Sequence, residues 1–380
     1  MVTSIGNGRI RVAVLFGGRS GEHEVSLASA RSVMEALDKT RYEIHPVGID
    51  PMGRWITAGD PMKLLREGEP APEAPAKESG NDGDGAALTA ATRRELLPGA
   101  DHVRFPVVDV VFPVLHGTYG EDGTIQGLLE LADLAYVGAD VLGSAVGMDK
   151  VIQKAVLSAH GLPIVAWQTV LRRRWRDDPD AILAQIEAQF AYPVFVKPAN
   201  AGSSVGVSKA HDRAELATGL DLAARFDRKL LVEAAVDARE IEVSVLGNDE
   251  PVASVPGEVI PCNEFYDYRA KYIDGDSGLE IPAQLSHEQT AEIRDLAVRA
   301  FQAIDCAGMA RVDFFIDKNT GQVWLNELNT IPGFTDISMY PKLWEASGLP
   351  YPELLDRLIE LALERREDKR ASKTRYEFDH

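Results

Sequence analysis

Cysteine is almost missing from this chain. Two residues in 380, Cys262 and Cys306, stand apart and form no CxxC pair. A disulfide framework and a thiolate zinc site are set aside, and a reducing compartment fits. Long apolar runs are missing too: none approaches the ~18 residues needed to span a bilayer. From Met1 the chain passes quickly into the strand-like Arg11-Val12-Ala13-Val14-Leu15-Phe16, without a leader pattern. Together these features read as a cytoplasmic protein with no membrane partner. Positive charge is scarce: 40 Lys and Arg stand against 59 Asp and Glu, a net charge of −19. No basic block advertises a nucleic-acid face, so no nucleic-acid partner is expected. An anionic ligand would have to be met by locally placed cations.

Apolar residues make up 45% of the chain, enough for buried cores. At roughly 150 residues per domain the length suggests two or three domains. The run at 10–16 ends at Gly17-Gly18, and Val25, Ala28, Ser32, Val33, Ala36 and Leu37 then follow helical spacing. A strand pattern resumes at 42–49, which completes the start of a βαβ unit and an α/β domain. From Glu67 to Gly99 prolines and glycines interrupt an Ala-rich stretch that reads as an exposed insertion. Further strands are expected at 107–112, 192–197, 230–233, 240–246, 308–317 and 322–329. Ile293, Leu296, Ala297, Ala300, Phe301 and Ile304 predict an amphipathic helix. Residues 353–363 also look helical, and the charged end from Glu364 to His380 reads as frayed.

The sharpest constellation is Arg311-Val312-Asp313 followed by Asn326-Glu327-Leu328-Asn329. Alternate strand residues share a face, so Arg311 sides with Asp313 and Glu327 with Asn329. A hairpin turning at Lys318-Asn319-Thr320-Gly321 sets Asp313 nearly opposite Glu327. Two carboxylates that close require a positive charge between them. Oxygen donors without His or Cys suit Mg²⁺ or Mn²⁺. The competing account is a solvated polar face neutralised by Arg311.

Phe195-Val196-Lys197-Pro198 ends a strand, and Ala201-Gly202-Ser203-Ser204-Val205-Gly206-Val207 follows. Backbone N–H groups in such a loop can approach an anion closely. The loop lacks the Walker A ending, and Gly17-Gly18-Arg19-Ser20-Gly21 lacks the dinucleotide spacing. Lys197, with Lys150 after Met148-Asp149, makes a phosphate reading stronger, although most Gly/Ser loops are only turns. Glu233 and Glu240 lie on strands beyond the loop and suit a nucleoside's donors, or simply face solvent. The unpatterned 256–282 stretch, with Tyr272 and Lys271, reads as a lid. Glu22 opens the first helix, as an N-terminal cap or as an ammonium-binding carboxylate. His116 ends a strand where open α/β sheets bind ligands.

These segments closely resemble the D-alanine–D-alanine ligase family of the ATP-grasp superfamily. The matching stretches are GGRSGEHEVS at 17–26, HGTYGEDGTIQG at 116–127, GMDK at 147–150 and VKPANAGSSVGVSK at 196–209. They continue with EFYDYRAKY at 264–272, ARVDFF at 310–315 and NELNTIPGFT at 326–335. The resemblance runs from about residue 10 to 363 and leaves out the insertion and the tail.

It implies a three-domain ATP-grasp architecture: 1–149 with the first D-alanine site, 150–237 with the phosphate loop, and 238–380 with lid and metal site. ATP would lie between the last two domains. Lys150, Lys197 and Lys271 would meet its phosphates under the loop of Gly202, Ser203, Ser204 and Val205. Glu233, Glu240 and Asn326 would serve the nucleotide. Asp313, Glu327 and Asn329 would carry two Mg²⁺ ions, with Mn²⁺ as a substitute. Glu22 would take the ammonium of the first D-alanine beside His116, with Ser203 and Tyr272 hydrogen-bonded to Glu22. Arg311 and the Gly333 N–H would receive the oxyanion, and Ser338 with the Met339 backbone the second carboxylate. The family is expected to act as homodimers, some members responding to K⁺. D-Ala–D-lactate and D-Ala–D-Ser ligases share the scaffold, and Tyr272 favours the dipeptide type. A non-catalytic nucleotide-binding module would need a broken metal or oxyanion set, and Asp313, Glu327, Asn329 and Arg311 are all present.

Overall fold

A computed structural model describes residues 8–67, 106–260, 278–335 and 337–373. Strand β1 (Ile10–Gly17) is buried from Val12 onward, as expected for an inner strand covered on both faces. It leads through helix α1 (His23–Ala36) to β2 (Tyr42–Ile49), β3 (Trp55–Ile56), α2 (Pro61–Glu67), β4 (Val110–Val114), α3 (Thr124–Leu131) and β5 (Ala135–Tyr136). The five strands lie in the order β3-β2-β1-β4-β5, with β1 parallel to both β2 and β4. Helices α4 (Val141–Met148) and α5 (Lys150–Ala159) follow, separated by Asp149, whose carboxylate caps α5 at the N–H groups of Val151 and Ile152.

The second sheet contains β6 (Trp167–Leu171), β7 (Val194–Pro198), β8 (Ser208–Ala210) and β9 (Lys229–Ala234), antiparallel in the order β6-β9-β7-β8. Helices α6 (Arg172–Asp177), α7 (Pro179–Gln189) and α8 (Arg213–Phe226) cover it. The third sheet holds β10 (Ala238–Gly247), β11 (Val252–Ala253), β12 (Gly257–Ile260), β13 (Gly278–Glu280), β14 (Gly308–Asp317) and β15 (Val323–Asn329). Helix α9 (His287–Ala303), opened by a Ser286–Gln289 capping box, buries the expected Ile293, Leu296, Ala297, Ala300 and Phe301 against it. Two last helices, α10 (Met339–Ala346) and α11 (Tyr351–Ala371), return to the first sheet.

Three sequence expectations are corrected. The buried face of α1 is Val25, Ser26, Leu27, Ser29, Ala30 and Val33, while Ala28 is exposed. Counting apolar residues misses Ser26 and Ser29, which are buried because their hydroxyls are satisfied: Ser26 donates to Val114 C=O, and Ser29 accepts from Phe334 N–H at 3.2 Å. The 256–282 stretch is not unpatterned at its ends, since β12 and β13 pair antiparallel through Val259 and Leu279. Its middle, including Glu264 to Tyr272, lies outside the described residues, as do positions 68–99 of the insertion. The charged end is helical through Ala371 rather than frayed from Glu364. Its cations have specific partners: Arg365 donates to Tyr136 C=O at 2.9 Å, Arg366 to Asp133 C=O at 2.6 Å, and Arg370 to the Asp133 carboxylate at 2.5 Å.

Phe334, fully buried, packs its ring 5.7 Å from those of Phe112 and Tyr340 and 6.3 Å from that of Tyr351. It joins the turn after β15 to the first sheet. Phe334→Ala is expected to cost about 3–5 kcal/mol of unfolding free energy in urea titrations, with Phe334→Leu losing less.

Candidate active site

The hairpin registers as its sequence predicts. Asp313 faces Glu327 and Arg311 faces Asn329 across β14 and β15. The turn closes through Gly321, left-handed at φ 72°, whose N–H reaches Asp317 C=O at 2.8 Å. Arg311 grips Asp313 with two bonds of 2.8 Å, and Asn329 Nδ2 donates to Asp313 Oδ2 at 3.0 Å. Glu242 of β10, in register with Asp313, places a second carboxylate 3.0 Å from Arg311. Sequence reasoning missed Glu242, although it shares a strand face with Glu240 at a spacing of two.

Two lysines approach from the other side. Lys150 Nζ lies 3.1 Å from Glu327 Oε2 and 3.2 Å from Ala201 C=O, and its backbone N–H is tied to Ala199 C=O at 3.0 Å. Lys197 Nζ lies 2.6 Å from Glu233 Oε2, within the fields of Glu327 and Glu240. Two lysines and the paired strand carboxylates are therefore in one place. Glu233 is itself buried between Lys197 and a residue the sequence reading did not single out, Lys154, 2.6 Å from Oε1. Burial alone would raise the Glu233 carboxyl, but the two ammonium groups outweigh it and draw it down to about 2. Burial draws Lys154 down, against the pull of Glu233.

The Gly/Ser loop crosses to the first sheet. Ser203 donates to Glu22 Oε1, and Ser203 and Ser204 both adopt left-handed backbone, φ 46° and 58°. A Cβ on Gly202 would sit 2.2 Å from Glu22 Oε2, and one on Gly117 2.4 Å from the same atom. Only glycine admits this approach. Val205 packs near Gly21. Glu22 makes no side-chain cap to α1, which excludes the capping account of this buried carboxylate.

His116 is enclosed, with Nδ1 3.0 Å from Ile331 C=O and Nε2 3.2 Å from Ser29 Oγ. These contacts assign the proton to Nδ1, and burial lowers the imidazole's pKa despite Glu22 nearby. Glu121 accepts from the N–H groups of Gly117 at 2.6 Å and Ile331 at 3.1 Å. Burial and the charge of Glu22 push it up to about 8. This buried carboxyl, also missed by sequence, ties the first sheet's loop to the turn after β15.

Ser338 precedes α10, whose first residue is Met339, so it stands at a helix N-terminus. Ser338 Oγ accepts from Thr335 N–H at 3.0 Å, and a Cβ on Gly333 would lie 2.7 Å from it. Asn326 belongs to β15, and its carbonyl accepts from Lys154 at 3.3 Å. Tyr272 and Lys271 lie outside the described residues. Among the described residues no three acidic, His or Cys side chains converge as a self-sufficient metal nest. Two carboxylates and one amide are donors of the type a hard cation takes, and Asp313, Glu327 and Asn329 would hold it only with further ligands from elsewhere.

Comparison with known proteins accords with this arrangement. Residues 11–139 match the family described as D-ala D-ala ligase N-terminus, and 156–360 match D-ala D-ala ligase C-terminus. The D-alanine–D-alanine ligase of Ruminiclostridium cellulolyticum is 52% identical over 372 residues, covering 96% of this chain and 98% of the relative. That of Thermoanaerobacter pseudethanolicus is 53% identical over 362 residues, covering 94% and 98%. The solved D-alanine–D-alanine ligase of Coxiella burnetii superposes with TM-score 0.77 at 40% identity over 96% of each chain. The VanG D-Ala:D-Ser ligase of Enterococcus faecalis superposes with TM-score 0.78 at 35% identity, over 93% of this chain and 100% of that one. Fold and site thus define an ATP-dependent ligase of the ATP-grasp type. Within that class, the chain belongs to the D-alanine–D-alanine ligase family.

The Glu233 cluster has a signed consequence for pH. Its carboxyl is lowered from 4.5 to about 2, so its stabilising contribution is complete above pH 4.5 and is lost as pH falls toward 2. Urea unfolding across that range is expected to show a shallower acid slope for Glu233→Gln than for the wild type. Equal slopes would remove the cluster from the acid response.

Proposed function

We propose that this chain joins two D-alanines into D-alanyl-D-alanine, with ATP converted to ADP and phosphate, as a cytoplasmic step supplying peptidoglycan precursors. One observation carries the reading. The Gly/Ser loop touches the buried Glu22 at its tip, while Lys150, Lys197 and the Asp313–Glu327 pair gather near its base. The Gly/Ser loop, in this reading, joins the ammonium site to the phosphoryl site. In this reading residues 1–149, 150–237 and 238–380 form the three domains, with ATP between the last two.

A carboxylate is a poor electrophile. Its oxygen first attacks the γ-phosphorus, ADP leaves, and the acyl phosphate has a better leaving group. The deprotonated amine of the second D-alanine then attacks the carbonyl, and phosphate departs. Glu22, fixed by Ser203 and Tyr272 with His116 beside it, holds the first ammonium. Lys150, Lys197, Lys271 and the N–H groups of 202–205 meet the phosphates; Glu233, Glu240 and Asn326 serve the nucleotide. Asp313, Glu327 and Asn329 would hold two Mg²⁺ or Mn²⁺ ions. Bound there, the metal supplies Lewis acidity and charge neutralisation at the phosphate oxygens. Arg311, aimed by Asp313 and Glu242, and the Gly333 N–H offset charge on the tetrahedral oxygen. Ser338 and the Met339 N–H, at a helix N-terminus, take the second carboxylate. The functional unit is a homodimer, and K⁺ stimulates it.

Phosphate release with D-alanine, L-alanine, or D-alanine plus D-lactate or D-serine, with mass analysis of products, tests the reading. D-Alanyl-D-alanine with stoichiometric phosphate is expected. The likeness to a D-Ala:D-Ser ligase makes a mixed product with D-serine the informative alternative. ATP binding without turnover would favour a regulatory module. Arg311→Ala is expected to lower kcat by about 10²–10³ with little change in ATP binding. Near-normal turnover in that variant would remove Arg311 from the oxyanion role.

A further inference from the structure

Helix α5 carries two adjacent polar side chains inside the protein, Gln153 and Lys154, exposed by only 1% and 2%. Neither belongs to the set assigned above to substrates or metal. Each reaches the outer edge of β15, the last strand of its sheet.

Gln153 brackets one residue. Its Oε1 accepts from Leu328 N–H at 3.1 Å, and its Nε2 donates to Leu328 C=O at 3.1 Å and to Gly147 C=O at 2.6 Å. A neighbouring strand would offer a residue this same donor–acceptor pair. The side chain therefore continues the sheet where its backbone ladder ends. Leu328 turns its own side chain into the core, and Glu327 and Asn329 flank it on the opposite face.

Lys154 acts two residues earlier. The register passes from Asp313–Glu327 to Phe314–Leu325, which leaves Asn326 as the extra residue of a bulge. Lys154 Nζ donates to the Asn326 carbonyl at 3.3 Å while pairing with Glu233 at 2.6 Å. One ammonium thus links the bulge of the third sheet to β9 of the second. Bulges re-aim the side chains next to them, and Glu327 is the next residue.

We propose that Gln153 and Lys154 are positioning residues that clamp the edge of β15, fixing Glu327 and Asn329 in the geometry that binds the divalent cation. The inference rests on the metal role given above to Asp313, Glu327 and Asn329. Glu327 and Asn329 lie on a strand laddered to β14 on one side, while its outer edge meets other backbone at Leu325, whose N–H bonds to Pro163 C=O at 2.7 Å. Without the clamp the stretch beyond Leu325 loses its outer backbone support at the bulge and at Leu328, and a small displacement of two ligands weakens a hard-cation site strongly.

The test is Mn²⁺ binding, followed by the loss of the free-ion paramagnetic resonance signal, with ADP present and no turnover. Gln153→Leu removes both bonds to Leu328, and Lys154→Met removes the bond to the bulge. Each is expected to weaken Mn²⁺ binding by about 10–100-fold, as losses of outer-shell support to metal ligands do. ADP binding in the absence of metal and KM for D-alanine are expected to stay near wild type in Gln153→Leu. Gln153→Glu keeps the acceptor for Leu328 N–H, turns the donor into an acceptor, and is read out in the same way if Gln153→Leu does not fold. A folded variant at Gln153 with wild-type Mn²⁺ binding overturns the inference alone. A wild-type chain that binds no Mn²⁺ with ADP overturns the metal reading and this inference with it.

Discussion

The crowding of carboxylates is the constraint on which the site depends. Glu242, Asp313 and Glu327 come from three strands and meet on one face. Glu233 lies buried at the edge of the same region. Like charges so placed repel, and burial removes the water that would screen them. The fold answers with cations held close: Arg311 between Glu242 and Asp313, Lys150 against Glu327, and Lys154 with Lys197 about Glu233. The protein as a whole is strongly acidic, yet here four cations, Arg311, Lys150, Lys154 and Lys197, stand against the four carboxylates. Positive and negative groups are arranged before any substrate arrives, which is the condition for electrostatic preorganisation.

Glu22 shows the same logic at the other end. It is a carboxylate among backbone atoms, approached by two glycines and one serine hydroxyl. The chain brings Gly117 from the first sheet's loop and Gly202 from the phosphate loop onto a single oxygen. The Gly/Ser loop and the loop after β4 are thereby mechanically joined through Glu22. The left-handed backbone of Ser203 and Ser204 is the local strain that this junction carries.

Much of the site could be read from the sequence, because strand alternation and hairpin register are strict geometric rules. Asp313 against Glu327 follows from period two and a tight turn, and the structure places them so. The segments around Lys150, Lys197 and 202–206 stood out by their resemblance to a family, since a Gly/Ser loop or a lone lysine is by itself weak evidence. What escaped was polar burial. Ser26, Ser29, Glu121, Gln153 and Lys154 look like surface residues in a helix or loop. Their partners are backbone groups or carboxylates far away in the chain, and no local pattern announces them. The helical extent of α11 was missed likewise, since its terminal cations pair with Asp133 and Glu130 from a distant segment.

The return of α11 to the first sheet has a consequence for how the molecule is made. Leu354, Leu355, Leu358 and Ile359, from near the end of the chain, share one core with Val12, Val14 and Phe112 from its beginning. A ribosome delivers the first set well before the second. The first sheet can therefore pair its strands early, yet α1 covers only part of this face until α11 emerges. Completion of this layer is an act of α11, and a chain released short of that helix would leave part of the layer's apolar face bare.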